Sequence, residues 1–246
     1  MKIIHKDTLE STNAYAEEEI LKGHINGPCC IVANAQSSGK GRGTNKWESE
    51  TGKNLTFSVV CFPDFLTAEK QFYLNKTIAL SVFELVSELV SGKNVSIKWP
   101  NDIYIGDQKV AGMLIQTAVQ GKLMKHALIG IGININQKEF SKDLPNPTSV
   151  ILHTQSETGL DQALKCYLDI FENYYKMLEG GLIKEIDSKY LEALYRFGLR
   201  SAFEYEGKKF HACICDVNEY GWLQLVTDDG ILICGDMDKV KMMIED

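Results

Sequence analysis

Residues 97–102 read IKWPND, and they mark the point where a strand ends in a sharp turn. Before the turn, Val95 and Ile97 stand at alternate positions, which is the period of a strand. Proline has no amide hydrogen and pushes the residue before it towards extended backbone, so Pro100 predicts the end of this strand. Lys98 therefore lies at a strand end, where a cation is either part of a functional site or an ordinary solvated side chain.

The composition is that of an ordinary globular protein. The 246 residues are 44% hydrophobic and 24% charged, which suits either one large domain or one domain with a small second one. The net charge of -7 argues against nonspecific nucleic-acid binding as the main activity. Because the sequence shows neither an apolar signal region nor an apolar run of membrane-spanning length, we expect a cytoplasmic protein. The seven cysteines include no C-x-x-C pair, which predicts reduced thiols rather than disulfides or a zinc site.

The apolar patterns predict helices and strands in two groups. Helices are predicted at 11–22, 69–91, 161–180 and 183–196, and strands at 29–34, 54–60, 103–105, 109–118 and 123–136. From about residue 200, five short strands follow at close intervals, and this spacing is typical of a small β-barrel. We therefore predict two domains, at 1–196 and 197–246.

Residues 36–47 read QSSGKGRGTNKW and form a glycine-rich, cationic loop between two predicted strands. The loop fits neither a Walker A sequence, because Gly41 follows Lys40, nor a dinucleotide fingerprint, because no helix follows it. Two interpretations remain: a disordered surface loop, or a loop whose free amides and cations bind an anion. Its length and the terminal Trp47, a side chain that is rarely left in water, favour anion binding.

Read together, four motifs resemble those of the biotin protein ligases. KWPND at 98–102 leads into KVAGMLIQ at 109–116, as in the signature of that family. The segments ESTN at 10–13, the loop at 36–47 and GIGININ at 130–136 follow the other family motifs in order. The resemblance covers nearly the whole chain. It implies an α+β, class II synthetase-like fold with a mixed, mostly antiparallel sheet, helices on one face and a small C-terminal SH3-like barrel.

The chain also departs from the family pattern. Lys40 stands where the family usually has arginine, and a lysine lacks the planar fork of a guanidinium. Gly43-Thr44 replaces a common Arg-Gly, and Gln116 stands where glutamate is frequent. These changes bear on how tightly the loop holds a ligand. No helix-turn-helix precedes ESTN, so we expect no DNA-binding arm.

The resemblance assigns roles to individual residues. It implies Lys98, Lys40 and Arg42 as catalytic cations. The residues implied in binding biotin are Ser11, Thr12, Asn13, Gln36, Gly39, Lys40, Gly41, Arg42, Lys98, Gly112 and Gly130. The residues implied in binding the nucleotide are Arg42, Trp47, Lys98, Asn101 and Asn134. Asp102 is the candidate metal ligand, with a turn-stabilising role and the orientation of Lys98 as alternatives.

The implied reaction is the ATP-dependent attachment of biotin to a protein through biotinyl-5′-AMP, with Mg²⁺ beside ATP. Its acceptor is a lysine of a biotin carboxyl carrier domain of a carboxylase. The chain itself is expected to be a monomer or homodimer that binds neither DNA nor membranes. Two alternatives remain open: a lipoate–protein ligase of the same fold, and a non-catalytic biotin sensor.

Overall fold

The computed structural model describes residues 1–243 as two β-sheets with packed helices. The predicted last strand segment reached Ile244, which lies outside the described residues, as do 245 and 246. The strands are β1 (Lys2–Leu9), β2 (Cys29–Gln36), β3 (Leu55–Cys61), β4 (Val95–Lys98), β5 (Asp102–Ile105), β6 (Gln108–Gln120), β7 (Leu123–Ile133), β8 (Arg200–Tyr205), β9 (Lys208–Val217), β10 (Leu223–Thr227), β11 (Leu232–Gly235) and β12 (Val240–Met242). The helices are α1 (Thr12–Leu21), α2 (Gln71–Leu89), α3 (Val150–Thr154), α4 (Leu160–Glu179) and α5 (Ile183–Glu192).

The larger sheet has seven strands in the order β1-β2-β3-β7-β6-β5-β4. Only β1 and β2 pair in parallel, and all other neighbours are antiparallel. The predicted mixed, mostly antiparallel sheet is thus confirmed. The turn after Lys98 joins β4 to β5, and β5 leads on into β6, so the KWPND motif builds one end of this sheet.

The helices cover the larger sheet on both faces. Helices α2 and α4 pack against the main core, where Phe57 and Val59 alternate along β3, as expected for helices on one face. Helix α1 lies on the opposite face and completes a smaller cluster with Ile31, Val60 and Leu128. The expectation that all helices share one face is therefore corrected for α1, because β2 and β3 are buried on both faces.

The C-terminal strands form a second, antiparallel sheet in the order β11-β10-β9-β8-β12. The predicted small β-unit is present, with one strand in each of the five predicted segments. Its edge strands β11 and β12 do not pair within residues 1–243, so the sheet is open and not a closed barrel. A repeating strand pattern predicts the strands but not whether the two edge strands pair to close a barrel.

A buried cation joins the two sheets. Lys76 on α2 is 1% exposed, and its ammonium donates to Asp187 Oδ1 at 2.7 Å and to the carbonyl of Val217 at 2.8 Å. Near it, the indole nitrogen of Trp99 donates to the Gly221 carbonyl at 3.0 Å. The Lys76–Val217 bond links α2 to β9, and the Trp99–Gly221 bond links the KWPND turn to the loop between β9 and β10, so the turn is held against the second sheet.

The seven cysteines are all free. Burial raises the pKa of the Cys30 and Cys61 thiols to about 12 each, so both are protonated core side chains at neutral pH.

Among residues 1–243, no helix is long and apolar enough to cross a membrane.

We predict that Asp187→Asn destabilises the protein, because it leaves the buried Lys76 ammonium without its counter-charge. The expected loss in the free energy of unfolding is about 3 kcal/mol, the lower end for a broken buried pair, since Asp187 is partly exposed. Urea unfolding followed by circular dichroism measures it. The control is Asp228→Asn, in an exposed pair with Arg200, which should leave the midpoint unchanged. Equal midpoints for both variants would contradict the role of Lys76.

Candidate functional site

A cleft of about 440 Å³ opens at the end of the larger sheet. The glycine-rich loop, the KWPND turn, strands β6 and β7, and the last strand of the C-terminal sheet all contribute to it. The lining residues are Ser11, Thr12, Asn13, Gln36, Lys40, Gly41, Arg42, Asn45, Lys46, Trp47, Lys98, Trp99, Pro100, Asn101, Asp102, Lys109, Gly112, Met113, Leu114, Gly130, Ile131, Gly132, Met237, Val240, Lys241 and Met242.

The loop at 36–47 is folded as a small hairpin and not spread over the surface. The amide of Gly41 donates to the carbonyl of Asn45 at 2.8 Å, and the amide of Trp47 donates to that of Gly39 at 3.0 Å. Lys40 and Lys46 form an isolated β-bridge between the two arms. The hairpin thus presents three cations to the cleft, Lys40, Arg42 and Lys46.

Trp47 ends the hairpin and lies on the backbone of β6 and β7. A Cβ atom added to Gly132 would lie 2.6 Å from Cζ2 of the indole, and one added to Gly112 would lie 3.1 Å from Cζ3. These two glycines are paired across the strands, so together they make a flat seat for the ring. The indole nitrogen is buried and has no hydrogen-bond partner among residues 1–243.

A chain of neutral polar groups forms the inner end of the cleft. Gln36 Oε1 accepts from the Thr12 amide at 2.8 Å. The Ser58 hydroxyl lies 2.7 Å from Thr12 Oγ1 and 2.6 Å from Asn13 Oδ1. Asn13 Nδ2 in turn donates to Gln116 Oε1 at 2.9 Å. The chain fixes the amide and hydroxyl groups in a mostly buried place, which is what a neutral polar ligand group requires.

Two cations beside the KWPND turn have different partners. Lys98 Nζ donates to the Tyr104 hydroxyl at 3.1 Å, whereas Lys109 Nζ pairs with Asp102 Oδ1 at 2.7 Å. The Asn101 side chain donates to the Met113 carbonyl at 2.6 Å, which ties the turn to β6. The carboxylate of Asp102 is thus engaged by Lys109.

Arg42 reaches from the hairpin to the C-terminal sheet. Its guanidinium pairs with the Asp238 carboxylate and donates to the Met237 carbonyl at 3.4 Å. Both partners lie in the connection between β11 and β12. The hairpin is therefore held between the two sheets, and residues near the C-terminus close one side of the cleft.

The structure brings most of the predicted site residues to this one cleft. All the site residues predicted from the sequence line the cleft, including Ser11, Lys98 and Gly130, except for two. These two are Gly39 and Asn134. Gly39 lies within the hairpin next to Lys40. Asn134 faces away, and its Nδ2 donates to the Thr148 carbonyl at 2.9 Å. Neighbouring residues on one motif alternate across a strand, so a motif match alone cannot assign each of them to the ligand.

Sequence reasoning missed several residues of the cleft. Lys109, Met113 and Leu114 lie within the quoted KVAGMLIQ motif, but received no role. Ser58 joins the polar chain from β3, outside every motif, and no local signal marks it. Met237, Val240, Lys241 and Met242 come from the C-terminal sheet. No spacing rule connects them with residues more than one hundred positions earlier.

Asp102 does not form a metal site with its neighbours. Within residues 1–243, no group of three or more histidine, cysteine or acidic side chains is placed to hold a metal ion. Among the described residues, Asp102 is the one acidic side chain that lines the cleft, and it is paired with Lys109. A resident metal ion does not fit these residues.

Sequence comparison places this cleft in a known family. The sequence profile of the Biotin/lipoate A/B protein ligase family matches residues 6–134, which is more than half of the chain. The chain belongs to this family. The resemblance seen in the motifs is thereby confirmed, and the matched range carries nearly every cleft residue outside the C-terminal sheet.

Named relatives of this family resemble the chain over most of its length. The Bifunctional ligase/repressor BirA of Bacillus spizizenii is 28% identical over 244 residues, which cover 97% of this chain and 71% of that protein. The Biotin--protein ligase of Homo sapiens is 28% identical over 82% of this chain but 29% of its own length. A structure of the biotin protein ligase from Aquifex aeolicus with biotin and ATP superposes with a TM-score of 0.83 at 24% identity, covering 99% of both chains. This last likeness confirms the fold.

We predict that Gly132→Ala displaces Trp47 from its seat and loosens the hairpin, because a Cβ at Gly132 overlaps the indole. Overpacking of this kind costs about 1–3 kcal/mol locally. Trypsin should then cut after Lys40, Arg42 or Lys46 faster than in the unaltered protein, as followed by mass spectrometry.

The matched control for this experiment is Gly27→Ala, where an added Cβ meets nothing within 4 Å. Cleavage of the Gly27→Ala protein should proceed at the unaltered rate. Equal cleavage rates in both variants would show that the seat of Trp47 does not hold the hairpin.

Proposed function

We propose that this chain is an ATP-dependent biotin protein ligase. The biotin carboxylate attacks the α-phosphorus of ATP, which forms biotinyl-5′-AMP and releases pyrophosphate. The ε-amine of a lysine on the acceptor then attacks the mixed anhydride and releases AMP. The observation that carries the proposal is a cation-lined cleft, closed by a glycine hairpin, that ends in a fixed chain of neutral polar groups.

The charge of the cleft supports the first step. Six lining side chains are cations, namely Lys40, Arg42, Lys46, Lys98, Lys109 and Lys241, in a chain whose net charge is -7. A carboxylate that approaches a triphosphate is repelled, and fixed positive charge offsets this repulsion at the transition state. We assign this role to Lys98, Lys40 and Arg42. An ATP polyphosphate also explains why so acidic a protein concentrates lysine in one place.

The neutral chain at the inner end supports biotin as the acid. A ureido group needs both donors and acceptors but no charge, and Thr12, Asn13 and Gln36 supply such groups. Gly130 leaves room for Asn13, since a Cβ there would lie 2.9 Å from Asn13 Oδ1, and we assign Gly112 to the same biotin site. Gly39, Gly41 and Ser11 border the same end. On the nucleotide side we place Trp47 and Asn101.

Magnesium enters this proposal with the substrate. Because Mg²⁺ usually binds through phosphate oxygens and water with only one or two carboxylates, it is expected to arrive on the triphosphate. We assign Asn134 a supporting role behind the nucleotide side and not a direct contact, given its bond to Thr148.

The acceptor that we propose is a biotin carboxyl carrier domain of a carboxylase, modified in the cytoplasm by the chain as a monomer or homodimer. The name of the human relative, Biotin--protein ligase, supports a protein acceptor. Within the chain, we propose that residues 1–196 form the catalytic domain and 197–246 the small C-terminal domain. The Arg42 pair with Asp238 suggests that the second domain helps to position the hairpin.

We predict that the protein exchanges pyrophosphate into ATP in the presence of biotin but not of lipoate. The inner polar chain suits a ureido ring, whereas the dithiolane of lipoate offers it no hydrogen bonds. Radiolabelled pyrophosphate, run with each acid, measures this. Exchange with lipoate alone would indicate a lipoate–protein ligase, and biotin binding without exchange would indicate a sensor.

We predict that Lys98→Ala lowers the rate of this exchange by about 100- to 1000-fold, the usual effect of removing one preorganised group that stabilises developing charge. The fold should survive, because the side chain is only half-buried. Lys125→Ala, on an exposed position of β7, is the control and should exchange at the unaltered rate. Unchanged exchange in Lys98→Ala would refute its role.

A further inference from the structure

The partner of Lys98 in the cleft is a phenol and not a carboxylate. In the register of β4 and β5, Lys98 lies opposite Asp102, and Ser96 lies opposite Tyr104. Residues two apart on a strand share a face, so Tyr104 is the diagonal neighbour of Lys98. Asp102 turns instead to Lys109, and Lys98 Nζ lies 3.1 Å from the Tyr104 hydroxyl and 5.1 Å from the centre of its ring.

Tyr104 is itself held from several sides. It is 3% exposed, and its ring packs against that of Tyr195 with centroids 5.4 Å apart. The Tyr195 hydroxyl donates to Asp107 Oδ1 at 2.5 Å, and its backbone amide donates to the Ile97 carbonyl at 2.8 Å. Since Ile97 immediately precedes Lys98, Tyr195 holds both the strand that carries the lysine and the ring of Tyr104, whose hydroxyl accepts its hydrogen bond.

We infer that Tyr104 is the positioning residue for Lys98 in the proposed reaction, holding the ammonium in place without neutralising it. A carboxylate at this place would offset the positive charge that the substrates need. A neutral phenol oxygen accepts a hydrogen bond from one of the three ammonium N–H groups and leaves two for anionic oxygens of the ligands. Within residues 1–243, Lys98 forms no salt bridge.

This inference rests on the proposed function and predicts a specific kinetic signature. In Tyr104→Phe the ring remains, but the ammonium loses its fixed acceptor. The charge still attracts both substrates, so binding changes little, while stabilisation of the transition state by a fixed group is lost. A hydrogen bond to a charged group is typically worth enough to lower kcat for exchange by about 10- to 100-fold. The KM values for biotin and ATP should stay within about twofold.

The test compares pyrophosphate exchange in the unaltered protein, Tyr104→Phe and Tyr190→Phe. Tyr190 is a matched control, because it is fully buried and its hydroxyl has no hydrogen-bond partner among the described residues. Tyr190→Phe should keep the unaltered kcat. Near-ultraviolet circular dichroism and thermal unfolding show that each variant is folded. A Tyr104→Phe protein with the unaltered kcat, or with raised KM values at constant kcat, overturns the inference.

A double variant separates positioning from a direct or purely structural role. In a Lys98→Ala background, Tyr104→Phe should change single-turnover adenylate formation by less than about twofold, because the group that it holds is gone. A full-sized effect in that background would show that Tyr104 acts without Lys98. If the unaltered protein itself fails to exchange with biotin, the proposed function fails. If it exchanges and Tyr104→Phe matches it, the inference about Tyr104 alone fails.

Discussion

The site depends on the close approach of Trp47 to the backbone of β6 and β7. The indole can lie there only because Gly112 and Gly132 face each other across the two strands without side chains. This contact sets the end of the glycine hairpin and so the distance between its cations and the KWPND turn. The hairpin is then held on its other side by Arg42 and Asp238. The glycine-rich segment therefore takes a defined conformation because of contacts on its two sides, and not because of any conformational preference of its own residues.

The cations of the cleft differ in the partners that hold them. Lys109 is matched with Asp102 and Arg42 with Asp238, whereas Lys98 is held by a neutral phenol. A cation that is paired with a carboxylate orients a loop or turn but adds little net charge to the cleft. A cation with a neutral partner keeps its charge for a ligand. The arrangement therefore separates the cations that carboxylates hold from Lys98, a cation free to act. It also places that free cation at the end of β4, where its backbone is bracketed by the segment after α5.

Much of the fold could be predicted from the chain, because its helices and central strands carry strong periodic patterns. The predicted helix at 69–91 became α2, and both strands of the 109–118 and 123–136 pair are present. Strand β1 was missed because its mostly exposed edge position leaves no clear alternation to read. Helix α3 is too short for any periodicity. Closure of the predicted barrel depends on long-range pairing of β11 with β12, for which local sequence carries no information.

The same limit explains what motifs revealed about the site and what they did not. Motifs gather residues that are near in sequence, so they point to Lys98, Gln36 and the loop at 36–47. The function of each depends on neighbours that only strand register supplies: Ser58 from β3 between Thr12 and Asn13, and Tyr104 diagonal to Lys98. Asp102 illustrates the consequence, since it stands opposite Lys98 in register and yet bonds Lys109. The register of β5 and β6 shifts between Ile103 and Tyr104, because β6 carries one extra residue there, and this shift places Lys109 opposite Tyr104 in the backbone. The side chains pair differently, since Asp102 bonds Lys109 and Tyr104 bonds Lys98.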